Sequence, residues 1–309
     1  MRRWPHLLLS SWFATSVACD NESTKATEPE STAYAPCAAS ERVGGFLVLL
    51  ADGYTAVEGR VASGVVPANV REATSVSGSC RVLEGRVLSC PACGAGETCG
   101  TDGACVPYPT AGSVGVVAVQ GLSAALSMSP TSIGSYTNGA TSLPHPGVGE
   151  GAVVSVDAPG DVLPGFTLEA RGIAPLATEL TEVALARDRA LTVTWTPATE
   201  PSARIRLLLD LAHHGGIAAS LECDGLDDDG GFEIPANLVT RLMDIGLAGF
   251  PTLTISRRAA SSTDIAPGCV DFSIVSEVVL SVTIDGLTSC VDDEECPSGQ
   301  TCQADLTCG

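Results

Sequence analysis

Residues 180–223 read LTEVALARDRALTVTWTPATEPSARIRLLLDLAHHGGIAASLEC. Four apolar-rich runs, at 180–186, 190–196, 203–211 and 216–223, are separated by Arg187-Asp188, by Pro197 to Pro201 and by the His213-His214-Gly215-Gly216 stretch. Short runs rich in Val, Ile, Leu and Thr with turn residues between them read as strands and their connections. The same punctuation continues outward in both directions, with candidate strands at 113–119, 122–128, 152–157, 166–170, 251–257, 269–275 and 277–284. Many short strands divided by Gly, Pro, Asn and Asp predict a β-sandwich over residues 110–286. One stretch departs from that pattern. Pro235-Ala236-Asn237 opens a run with Leu238, Leu242 and Ile245 at helical spacing, closed by Gly246, which predicts a single short amphipathic helix. Trp195, inside LTVTWTP, reads as a core residue.

The chain has 309 residues, 45% of them apolar, which suits one large module beside smaller ones. Aromatics are only 4%, so the core must rest on Val, Leu, Ile and Ala. Acids outnumber bases 36 to 16, Lys25 is the only lysine, and the formal net charge is −20. Such a field repels phosphate backbones and anionic lipid heads, which argues against nucleic acid as a partner.

Upstream, residues 37–89 carry a second strand-and-turn pattern. Phe46 to Leu50 is an apolar run closed by Asp52-Gly53, Tyr54 to Val61 alternates loosely, and Thr74 to Leu83 alternates again. Glu84-Gly85 reads as a tight turn into Val87-Leu88. The expectation is a small β-meander that needs a disulfide or a neighbour to be stable.

Thirteen cysteines imply an oxidising compartment if they pair and zinc if they do not. The N-terminus points to the first. Met1-Arg2-Arg3 is a positive start, Leu7 to Ala18 is mostly apolar, and small residues precede Cys19. That is the pattern of a secretory signal over 1–18, and the run is too short to span a bilayer. Residues 20–36, DNESTKATEPESTAYAP, read as a disordered acidic tether that follows Cys19.

The other twelve cysteines include two clusters, Cys90, Cys93, Cys99 and Cys105, and Cys290, Cys296, Cys302 and Cys308. Aligned on Cys93 and Cys296, they read CGAGETCGTDGAC and CPSGQTCQADLTC, sharing three cysteines, a Gly, a Thr and an Asp at identical spacing. Segments this short bury too little apolar surface to fold without cross-links, so residues 90–109 and 287–309 are expected to be cysteine-rich mini-modules. Four cysteines allow three pairings, and a Cys90–Cys93 bridge would strain a very short loop. The alternating pattern is expected: Cys90–Cys99 with Cys93–Cys105, and Cys290–Cys302 with Cys296–Cys308. A zinc site would want a second CxxC beside Cys90-Pro91-Ala92-Cys93, and none is present.

Two resemblances add to this reading. Ser16-Val17-Ala18-Cys19 resembles the bacterial lipobox, in which the cysteine sulfur and its freed amine receive acyl chains. It implies a lipoprotein anchored in the membrane through Cys19. Asp20 resembles an inner-membrane retention signal of enteric bacteria; the expected place is nonetheless the outer membrane or the cell surface. The cysteine clusters, above all CVDDEECPSGQTCQADLTC, resemble dickkopf-type or EGF-like repeats, which imply disulfide mini-modules. The remaining four cysteines are then expected to pair inside their own modules, as Cys37–Cys80 and Cys223–Cys269.

Candidate chemistry is sparse. His213-His214 has no HExxH or spaced carboxylate beside it. Asp224 to Gly231 and Asp292 to Glu295 are acidic turns that could offer oxygens to calcium, but with Gly230 placed sixth, an EF-hand register puts Gly225 first and Ala236 last, where acids belong. Gly147 to Gly151 precedes a strand rather than a helix, and Gly94 to Gly100 lacks the lysine of a phosphate loop. No catalytic residue, metal ligand or cofactor is therefore expected. The reading is a mainly β protein: a disulfide-stapled small β-module plus a larger β-sandwich with one short helix, and two small cysteine-rich mini-modules. It is exported, membrane-anchored and non-catalytic, with envelope proteins or glycans as partners. A hydrolase of glycans or peptides on the sandwich, and a calcium or small-ligand binder, are the alternatives.

Overall fold

The structure is a computed structural model that describes residues 33–216 and 218–309. The export signal over 1–18, Cys19 and the tether as far as residue 32 lie outside the described residues. The chain opens with β1 (Arg42–Ala51), β2 (Tyr54–Ala62), β3 (Arg71–Ser77) and β4 (Cys80–Gly85). The first cysteine module holds β5 (Glu97–Cys99) and β6 (Cys105–Pro107). Short strands follow: β7 (Ala111–Gly112), β8 (Val117–Gln120), β9 (Leu126–Met128), β10 (Ser135–Thr137), β11 (Val153–Ala158), β12 (Phe166–Arg171), β13 (Glu182–Leu185) and β14 (Leu191–Thr194). Then come β15 (Arg204–Asp210), β16 (Ala219–Leu226), β17 (Gly231–Ile234), the helix α1 (Ala236–Ile245), β18 (Thr252–Ile265) and β19 (Gly268–Ile284).

The spine is the hairpin of β18 and β19, paired without a break from Thr252 opposite Ser281 to Ile265 opposite Gly268. The free edge of β19 takes two strands in parallel, β1 along Cys269 to Ser276 and β13 along Ser281 to Ile284. The free edge of β18 takes β15 along Thr252 to Arg258. Beyond β1 lie β2 and β10, and beyond β15 lie β16, β4 and β3, so one large sheet runs through the molecule.

Two cores form on it. Around one half of the spine, Phe46, Val48, Phe272 and Ile274 face Val119, Val156 and Leu168 of a second sheet ordered β12-β11-β8-β9. Phe46 carries three aromatic rings together, 5.4 Å from Tyr136 and 6.0 Å from Phe166. Around the other half, Leu207, Leu221 and Leu253 meet Leu238 and Leu242 of α1 and Trp195. Each fully buried aliphatic side chain of this kind contributes about 1.5–3 kcal/mol, so the aliphatic-rich composition suffices. Helix α1 starts at Pro235, whose carbonyl accepts from Leu238 and Val239, and stops at Gly246, whose φ of 151° suits glycine.

Several expectations need correction. The 37–89 pattern does not stand apart: β1 joins β19 and β4 joins β16, so its strands belong to the large sheet. Its second turn lies at Gly78-Ser79, not at Glu84-Gly85. Gly78 has φ 58° and makes the turn, whereas Gly85 is small because a Cβ there would come within 2.8 Å of Ala218, and Val87 beyond it is 91% exposed. Residues 269–275 and 277–284 are one strand. Its first half is buried on both faces and its second half alternates, and that change of pattern imitates a break. The polar-looking Arg258 to Ile265 continues β18 rather than ending it. The tether ends early: Ala35 N–H donates to the Ala260 carbonyl at 3.0 Å, and the Tyr34 hydroxyl donates to Asp224 at 2.8 Å.

Candidate functional site

The cysteines place the modules. Cys90 bonds Cys99, Cys93 bonds Cys105, Cys290 bonds Cys302 and Cys296 bonds Cys308, so both mini-modules share one connectivity. The other two bridges are Cys37–Cys269 and Cys80–Cys223, not Cys37–Cys80 and Cys223–Cys269. The sheet explains the exchange. Cys80 and Cys223 sit directly opposite each other on β4 and β16, and Cys269 lies opposite Arg42 at the start of β1, within reach of Cys37. These neighbours are 143 and 232 residues apart, so only the three-dimensional pairing shows them. Within each mini-module three sulfurs lie within 4.8 Å of one another, a packing of adjacent disulfides whose sulfurs are no longer thiolates for a metal.

The two mini-modules meet the large sheet differently. In the C-terminal one Cys290 is fully buried, and Gly249 N–H donates to the Asp305 carbonyl at 2.7 Å. The first module returns through Tyr108, whose N–H reaches the Gly96 carbonyl at 2.8 Å, and then ties to the end of β2 by Ser63 N–H to the Thr110 carbonyl at 2.9 Å.

That return leaves a groove. Between the Tyr108-Pro109 corner and the ends of β1 and β2 lies a cavity of about 440 Å³, floored by Val43, Ala62, Val65 and Pro109. Arg42, Gly44 and Arg60 form a wall shared with a second hollow of about 530 Å³ that runs over Gly45, Leu47 and Glu58. Arg42 is ion-paired with the buried Asp271, which lies where a Cβ on Gly45 would be. Arg60, opposite Gly45 across the strand pair, is exposed and meets no carboxylate within 4.0 Å among the described residues. Asn69 and the 59% exposed Tyr108 complete the mouth. No motif announces this site, because its residues come from distant stretches with no shared spacing.

The residues that did stand out have other work. His213 and His214 sit in the turn after β15 with rings 4.0 Å apart, and His213 Nδ1 is 3.5 Å from Asp210. The acids of 224–231 do not converge. Asp224 accepts from Tyr34, Asp227 lies 3.7 Å from Arg204, and Asp228 is the buried counterion of Arg257. Burial first, and then the Asp224 carboxylate, push the Tyr34 hydroxyl up against the opposing pull of Arg258. Asp292 and Asp293 accept backbone N–H groups of Glu294 and Cys302, and Glu295 accepts that of Val291. Gly147 N–H donates to Thr55 Oγ1 at 2.8 Å, which packs the 147–151 loop onto β2. Glu150 accepts from Thr199 and Glu200, and the Thr199 backbone bond chiefly holds its carboxyl below the usual range.

Comparison with known proteins gives no match, whether to a family model, to a curated protein or to a solved structure.

Proposed function

We propose that this chain is an exported, non-catalytic lipoprotein of the bacterial envelope, anchored by lipid on Cys19 and binding a partner through the groove lined by Arg42, Arg60 and Tyr108. The six disulfides carry this reading. They engage every cysteine after Cys19, and structural disulfides belong to oxidising compartments outside the cytoplasm. The one cysteine left over is the one that follows small residues at the end of an apolar run. Acyl chains on it would hold the protein at a membrane, since each buried CH₂ contributes about 0.8 kcal/mol and two chains suffice where one does not. The buried acids favour a binding role over catalysis, because Asp228, Glu222 and Asp271 are each committed to arginine.

The test is fractionation of cells carrying the wild-type chain or Cys19→Ala. The wild-type protein should sediment with membranes and the variant should appear in the soluble fraction. Equal membrane association of the two would contradict the anchor.

A further inference from the structure

We propose that the Arg86–Val87 peptide bond is a cleavage site for an arginine-specific endoprotease, and that the cut leaves one folded molecule of two disulfide-linked chains. This goes beyond the anchor and the binding role, and it rests on neither.

The folded chain offers such a protease few bonds. Every base among the described residues is an arginine, because Lys25 lies outside them. All of these arginines stand in a strand or in α1 except Arg86, Arg187 and Arg189. A bond inside a ladder or helix cannot enter a protease cleft until its hydrogen bonds open, so nicking falls on exposed connections. Arg187 and Arg189 belong to the short connection from β13 to β14, between the buried Leu185 and Leu191. That connection is pinned to α1, where Arg187 ion-pairs with Asp244 and Asp188 N–H donates to Thr240 Oγ1 at 2.8 Å. Arg86 is free of such ties. No strand or helix covers residues 86–96, and no backbone–backbone hydrogen bond joins residues 86–93 to another described residue. Arg86 is exposed and meets no carboxylate within 4.0 Å among the described residues. Val87, on the far side of the bond, is 91% exposed.

The near side is held by the end of β4. Gly85 N–H donates to the Ala218 carbonyl at 2.6 Å, and Glu84 accepts from Arg241. Seating in a cleft therefore needs the last pair of the β3–β4 ladder, Gly85 with Arg71, to open. A strand end opens at small cost beside the rest of the sheet.

The sheet and the staples keep the product whole. β1 pairs with β19 and β4 with β16, and Cys37–Cys269 and Cys80–Cys223 each join a residue before the cut to one after it. Hydrolysis adds one water across the amide, so Arg86 ends as a carboxylate and Val87 begins as an ammonium. Nothing is oxidised or reduced, and the bridges stay as they are. What changes is the first cysteine module. It joins the sheet through residues 86–89 on one side and through β7, paired with β2, on the other. The cut leaves only the second connection.

The experiment treats the purified full chain with an arginine-specific endoprotease that spares lysine. The unreduced product should gain the mass of one water and keep the cooperative urea unfolding of the uncut chain. Reduction should split it into one chain that ends at Arg86 and one that begins Val87-Leu88-Ser89-Cys90. Cleavage there should run about ten-fold or more faster than at any other arginine within residues 33–309. Arg86→Gln changes an exposed side chain, so it should fold as the wild type does and lose this cut. A faster cut after Arg187, Arg189 or a strand arginine would overturn the proposal. So would the same cut in Arg86→Gln, no cut short of global unfolding, or a cut molecule without an unfolding transition.

Discussion

Arg257 is 1% exposed and uses all five of its N–H groups. Nε and one Nη2 hydrogen reach Asp228, Nη1 reaches the carbonyls of Ala174 and Pro175, and Nη2 also reaches that of Thr196. Asp228 in turn accepts from Trp195 Nε1 at 2.8 Å. A buried ion pair is tolerable only when its remaining lone pairs and protons are satisfied in this way. Asp228→Ala would leave the guanidinium buried and unpaired, a cost of about 3–5 kcal/mol. Asp228→Ala with Arg257→Met should recover part of that loss in urea unfolding, though the carbonyls and Trp195 stay unpaired. A double variant less stable than Asp228→Ala would contradict this role. None of it was legible beforehand. In RRAASS the arginine reads as a solvated residue, and in DGLDDDGG the aspartate reads as one of several interchangeable acids. Trp195 was legible as core because, just past the end of β14, it continues the inward alternation of Leu191 and Val193.

At the scale of elements, strand existence was readable and strand partnership was not. Alternation fixes which side chains point inward, so Leu191 to Thr194 and Arg204 to Asp210 could be placed within a few residues. Helix α1 was readable from its 3.6-residue spacing and its glycine stop. Three-residue strands such as β10 carry too little pattern to detect. Pairing between β4 and β16 is set by shape and burial across 143 residues, and so the partner of Cys80 cannot be read from local pattern. The same pairing produces a bridge of charges over three strands. Glu222 on β16 lies opposite Arg81 on β4, and its oxygens accept from Arg81 and from Arg206 on β15 at 2.6 Å each. Burial raises its proton affinity, but Arg206 and the two sets of hydrogen bonds outweigh burial and hold the carboxyl below its ordinary value of 4.5. A carboxyl with a lowered value in the folded state stabilises above its unfolded value and loses that contribution as pH falls. The stability gap between wild type and Glu222→Gln should therefore be full at neutral pH and shrink as pH drops below 4.5. A gap that stays constant down to about pH 3 would contradict the bridge.

For the whole molecule, the long staples and the spine act on the same regions. Cys37–Cys269 ties the N-terminal end of the described chain to the start of β19, and Cys80–Cys223 ties the edge hairpin β3–β4 to β16. Each closes a long loop and contributes about 2–5 kcal/mol, chiefly by restricting the unfolded chain. The two mini-modules add short staples, and the first of them shapes the groove through Tyr108. Composition and cysteine number made the stapled, mainly β character legible, whereas the groove appears only once β1, β2 and the module corner are folded together. On the proposed function, twelve of the thirteen cysteines staple the fold and Cys19 anchors the chain. Intact mass spectrometry of the protein extracted from membranes tests that division most directly. The expected result is a chain that begins at Cys19 with added acyl mass, takes up no thiol reagent before reduction, and gains about 12 Da on reduction. A chain that begins elsewhere without lipid, or one that shows free thiols among the twelve, would contradict it.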